Sequence, residues 1–88
     1  MNKEVYGVIT FMSTHHTIQA EGILKEKGIT FKTIPTPREI TRSCGLAILF
    51  TLDDLDKIKK MVDDGEIIIA NIHKLVKEGP NSSVEKIL

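Results

Sequence analysis

The chain has 88 residues, and its 12 Lys plus Arg balance 12 Asp plus Glu, so the formal net charge is zero. Hydrophobic residues make up 41% and charged residues 27%, an ordinary globular mixture. Its one cysteine, Cys44, excludes an internal disulfide, and one cysteine with three histidines cannot build a zinc site of four cysteines or of two cysteines and two histidines. A neutral chain is a poor match for an electrostatic nucleic-acid partner. No apolar run approaches the roughly 18 residues of a membrane span. Met1-Asn2-Lys3-Glu4 lacks the apolar core of a signal peptide. The expectation is one small cytoplasmic domain, two layers thick, with no cofactor.

Val5 to Met12 is almost continuously apolar and reads as a strand buried on both faces, central in its sheet. Ser13 or Thr14 can cap a helix from about Thr14 to Lys27, with Ala20, Ile23, Leu24 and the methyl of Thr17 on its inner face. Gly28 ends that helix, and Lys25 and Lys27 suit the negative end of its dipole. Ile29 to Ile34 reads as an edge strand closed by Pro35 and Pro37, which cannot donate to a ladder. The polar stretch Thr36 to Gly45 reads as a loop, and Leu46 to Phe50 as a second central strand. Thr51 and Asp54 suggest a capping box opening a second helix, with Leu55, Ile58, Met61 and Val62 inward and Gly65 at its end. Glu66 to Leu75, with three isoleucines in succession, reads as a fourth strand at an edge. Residues 77–88 read as a tail, with Ser82 and Glu85 able to box a last helical turn over Ser83 to Leu88.

The order β-α-β-β-α-β leads to an α+β expectation. It is a ferredoxin-like two-layer sandwich, an antiparallel four-stranded sheet with two helices on one face, occupying residues 1–76. In that topology the loop Thr36 to Gly45, the junction Met12 to His16 and the turn Asp63 to Glu66 meet at one end of the sheet. Cys44, Arg38, Arg42, His15 and His16 then share a neighbourhood with the start of the first helix, which favours anions. A cysteine beside helix amides, Arg or His ionises more easily, and the thiolate is the nucleophile. Gly45 leaves room for another molecule to approach the sulfur. The bland alternative is that Cys44 is simply buried, as free cysteines often are. In the same way, Arg38 and Arg42 can be ordinary solvated charges. One Cys with His15 or His16 is a thin ligand set, so no metal is assigned. His73 receives no role.

The run Ile34-Pro35-Thr36-Pro37-Arg38-Glu39-Ile40, followed by Ser43-Cys44-Gly45-Leu46-Ala47, resembles the signature of the selenium/sulfur carrier protein-like family of small bacterial proteins. Ser13-Thr14-His15-His16 and Leu24-Lys25-Glu26-Lys27-Gly28-Ile29 are similar as well, so the resemblance covers roughly Val5 to Ile72. Most members have a small residue where this chain has Arg42. The resemblance implies a protein that holds sulfur or selenium as a persulfide or selenosulfide on Cys44. Arg38, Ser43, Gly45, Ser13, Thr14 and His15 would be binding residues around it. The implied partners are a donor such as a cysteine desulfurase and an acceptor enzyme. The absence of a second cysteine agrees with carriage, because a nearby thiol would discharge the cargo by internal attack.

Two rival readings remain at this stage. One is a non-catalytic small-molecule-binding or regulatory module with a structural cysteine, able to form a homodimer through the sheet and the Ile67-Ile68-Ile69 edge. The other is metal handling by Cys44 with His15 or His16.

Overall fold

The computed structural model describes residues 3–37, 40 and 44–87. Its strands are β1 (Lys3–Thr10), β2 (Phe31–Pro35), β3 (Leu46–Phe50), β4 (Asn71–Glu78) and β5 (Asn81–Lys86). Helix α1 (Thr14–Glu26) follows β1, and a short 3-10 turn (Leu52–Asp54) leads from β3 into α2 (Leu55–Asp63). The strands form one sheet in the order β2-β3-β1-β4-β5, every neighbouring pair antiparallel.

This corrects the four-stranded ferredoxin-like expectation: five strands form, and β4 lies between β1 and β5 instead of at an edge. The fifth strand comes from residues 81–86, in place of a frayed tail or helical turn. Glu78 pairs with Asn81, so Gly79 and Pro80 alone turn the chain. Gly79 takes φ 59°, as the first central residue of a type II′ hairpin turn requires. The turn aligns a polar segment, Asn81-Ser82-Ser83-Val84-Glu85-Lys86, with the free edge of β4, and the ladder hydrogen bonds hold it there.

The three isoleucines are a second correction. Ile67, Ile68 and Ile69 precede β4 and are not in a strand. Ile67 is packed into the core, whereas Ile68 is largely exposed. They therefore offer no edge for self-pairing. The capping box of Thr51 and Asp54 does not form either, because Thr51 makes no side-chain cap bond and its carbonyl accepts from the Asp54 amide instead.

Both apolar runs that read as central do lie inside the sheet. Successive residues of β1 face opposite ways. Ile9 joins Ile48, Phe50 and Ile72 under Ala20 and Leu24 of α1 and Ile58 and Met61 of α2, so both helices cover one face. Val8 lies on the other face with Ala47 and Leu75, packed by Ile34, Leu49, Val84 and Ile40. Full burial of such a side chain contributes about 1.5–3 kcal/mol, so the paired layers around β1 hold the frame that presents the loop ending at Cys44.

Candidate functional site

Helix α1 starts where expected. Ser13 has an extended backbone, and its hydroxyl accepts from the His15 amide at 3.2 Å, which caps the helix. Thr14 and Thr17 are three apart and so share one face of the first turn. Cys44 is seated against that face. Its amide donates to Phe11 O at 2.9 Å, fixing the end of the loop to the end of β1. Its Sγ lies 3.4 Å from Thr17 Oγ1 and 3.7 Å from Leu46 O. Next to it, the Thr36 amide donates to Gly45 O, which continues the β2–β3 ladder by one step.

The thiol is half-buried, packed against the main core. Burial alone would push it up. Hydrogen bonding by Thr17, the backbone at Leu46, Thr14 and its own backbone outweighs that effect and holds Cys44 below the usual cysteine value. The nearby positive end of α1 acts in the same direction. Gly45 takes φ 95°, and the space its missing Cβ would occupy is open. The sulfur is thus gripped on the helix side, and the residue that follows it adds no side chain.

The sequence-predicted residues divide as follows. Ser13, Thr14, Cys44 and Gly45 are brought together. His15 contributes its amide to the cap, but its exposed ring has His16 as its neighbour, with centroids 6.2 Å apart. Arg38, Ser43 and Arg42 lie outside the described residues. Thr17 reads from the sequence only as a helix-facing methyl, yet its hydroxyl lies 3.4 Å from the sulfur. The signal that could have found it is the hydroxyl pair at positions 14 and 17, immediately after the cap.

The turn Asp63 to Glu66 is not at this end of the sheet. Glu66 pairs with Lys27 at 3.1 Å, just beyond the last residue of α1. The recess lined by Lys27, Ile29, Met61 and Glu66 is likewise at the end of α1 remote from Cys44. Among the described residues, no group of three His, Cys, Asp or Glu side chains is placed to hold a metal ion.

His73 belongs to an interior strand, opposite Val8 on β1 and Lys86 on β5. Its Nδ1 is buried without a hydrogen-bond partner. Burial, and secondarily the Lys86 charge, lower its pKa. The folded chain therefore resists protonating His73 more than the unfolded chain does. Its stability is fully present above the unfolded imidazole value and declines as pH falls through that value toward the lower folded one. Denaturant unfolding at pH 7 and pH 5 is expected to show this loss, and His73→Phe is expected to reduce the difference. An unchanged pH dependence in the variant would contradict the assignment.

The family model described as "Putative Se/S carrier protein-like" matches residues 6–74. The chain belongs to that family. The Se/S carrier-like match runs from β1 into β4 and includes the whole Cys44 site, while β5 lies beyond it. A relative in Methanocaldococcus jannaschii, itself an uncharacterized protein, is 38% identical over 61 residues, which is 69% of this chain and 30% of the relative. This Se/S carrier-like chain therefore matches about a third of that archaeal protein's length. No solved structure matches. Among the described residues, no helix is long and apolar enough to cross a membrane.

Proposed function

We propose that this protein carries sulfur or selenium as a persulfide or selenosulfide on Cys44, in the cytoplasm, between a donor such as a cysteine desulfurase and an acceptor enzyme. The observation that carries the reading is the seat of the thiol, 3.4 Å from the Thr17 hydroxyl at the start of α1 and held below the usual cysteine value. The family description agrees with it.

In loading, the Cys44 thiolate attacks the outer sulfur of a donor persulfide. A new bond to Sγ forms, the donor S–S bond breaks, and the donor leaves as a thiolate, so no external oxidant or reductant is consumed. In unloading, an acceptor nucleophile attacks the outer sulfur and Cys44 leaves as the thiolate. Thr17, Thr14 and the first turn of α1 stabilise the negative sulfur at both stages. Gly45 places no side chain beside Cys44 that an attacking or departing group would have to pass. The chain holds no second thiol to resolve the persulfide internally, so the cargo survives until a partner arrives. Arg38 is the cation that the motif adds to this reading.

Intact-protein mass spectrometry after incubation with a desulfurase and cysteine tests the proposal. One added sulfur on the native chain, absent in Cys44→Ser and removed by dithiothreitol, is the expected result. An unmodified native chain would sink it.

One observation favours a second reading, in which Cys44 is structural: the side chain packs against the core. Slow labelling of the native thiol by iodoacetamide, at the rate of an unperturbed cysteine or below, would support that reading.

A further inference from the structure

The recess at the end of α1 remote from Cys44 has a volume of about 390 Å³, within the roughly 300–1,000 Å³ of small-molecule sites. One wall is a single face of α2. Lys57, Lys60, Met61 and Asp64 line it, at the helical spacing that puts them side by side. Ile29 and Glu66 complete it from the turns that follow the two helices. Those turns are built alike. The Ile29 amide donates to Leu24 O at 3.0 Å and the Gly28 amide to Lys25 O at 3.1 Å. The Glu66 amide donates to Met61 O at 2.9 Å and the Gly65 amide to Val62 O at 3.1 Å. Each pair of bonds closes a helix C-terminus and fixes the chain just beyond it. The Lys27–Glu66 ion pair, 3.1 Å, then ties one turn to the other.

Floor and rim differ in chemistry. Met61 and Ile29 are buried and supply an apolar floor. The rim is charged, and part of that charge is already answered: Lys27 is taken by Glu66, and Lys57 by Asp54 at 3.7 Å. Lys60 and Asp64 have no ion-pair partner among the described residues. They are four apart and so neighbours on the helix surface, but the lysine comes first, the weaker order for a pair. Asp64 is also the C-cap of α2, where the negative end of the dipole disfavours a carboxylate. A carboxylate at a costly position, one turn from a free ammonium group and beside an apolar floor, suits a ligand that brings both opposite charges with it.

We infer that this recess binds a free α-amino acid with an apolar side chain. The ligand's ammonium group meets Asp64 and the negative end of α2, its carboxylate meets Lys60, and its side chain lies over Met61 and Ile29. An α-amino acid carries its two charges on one carbon, which matches two charges on adjacent turns of one helix. A carboxylate alone leaves Asp64 unanswered, and an amine alone leaves Lys60 so. The inference does not rest on the carrier reading, because the recess and the Cys44 thiol are at opposite ends of α1.

The test is titration of the full chain with L-leucine, followed by the amide NMR signals of Ile29, Met61 and Asp64. Saturable shifts at these residues are expected, with a Kd of about 1 mM or below. Two further probes each lack one charge: 4-methylpentanoate has no ammonium group, and 3-methylbutylamine has no carboxylate. Each is expected to bind at least about tenfold more weakly than leucine, the loss of one charged contact. Asp64→Asn is expected to weaken leucine binding about tenfold and to leave 4-methylpentanoate within about twofold, because that probe has no ammonium group to lose. Lys60→Met is the converse, weakening leucine and sparing 3-methylbutylamine. Both positions are exposed, and both variants are expected to keep the native unfolding midpoint, so lost binding reports the site and not the fold. No shift with leucine, equal binding of leucine and either analogue, or full leucine binding in both variants would overturn the inference.

Discussion

Gly7→Ala is expected to destabilise the fold by about 1–3 kcal/mol, the usual cost of adding a methyl group to a filled core. Gly7 is buried in β1 and pairs with Phe50 of β3, and the Phe50 ring lies over its Cα. A Cβ at position 7 would overlap three atoms of that ring. Phe50 has little freedom to yield, because it also packs among Ile9, Ile48 and the helices and pairs with Phe31 of β2. For a domain of this size, each kcal/mol corresponds to roughly 4–8 °C in the unfolding midpoint, so calorimetry resolves the effect easily. The mechanism has its own check. If the ring is the obstacle, Gly7→Ala placed on a Phe50→Leu background should cost clearly less than on the native background. Equal costs on both backgrounds would show that the ring is not the cause.

Thr17→Val is expected to raise the Cys44 thiol and slow its reaction at neutral pH. The substitution keeps the volume of the buried side chain and removes only the hydroxyl. Burial, which pushes the thiol up, is then left without its largest single counterweight. Each pKa unit corresponds to a tenfold change in thiolate fraction, so the pH profile of iodoacetamide alkylation should move to higher pH and the rate at pH 7 should fall about tenfold per unit moved. Thr17→Ser keeps a donor in place and should retain most of the native profile. A merely structural role for Thr17 would change stability and leave the profile where it is, and that outcome would remove Thr17 from the site.

The two central strands were legible because continuous apolar runs, Val5 to Met12 and Leu46 to Phe50, need cover on both faces. The structure supplies that cover with two helices on one side and, on the other, a cluster that Ile40 of the Cys44 loop helps to close. Helix α1 was legible from its cap and its terminal glycine. The fifth strand was not. Asn81-Ser82-Ser83-Val84-Glu85-Lys86 has no apolar alternation strong enough to announce a strand, and its pairing comes from a two-residue turn and a waiting edge. The isoleucine run misled for the converse reason. β-Branched residues suit a strand, but Ile67 reaches the core without ladder hydrogen bonds because Glu66 is tied to Lys27 and Ala70 to Thr10.

At the site, the sequence by itself determined the chemistry available: one thiol, no second thiol, hydroxyls beside a helix start, and a flanking glycine. These follow from residue identity and local backbone preference, which act over a few residues. Tertiary structure alone decided which of these groups meet. Thr17 and Cys44 are 27 residues apart, and they touch because the loop end is bonded to the carbonyl of Phe11 at the close of β1. His15, two residues before Thr17, instead has its ring beside His16. Long-range contact depends on how the sheet and helices pack, and an 88-residue sequence does not state that packing. The count of one cysteine thus named the candidate thiol, and the fold chose the hydroxyl that meets it.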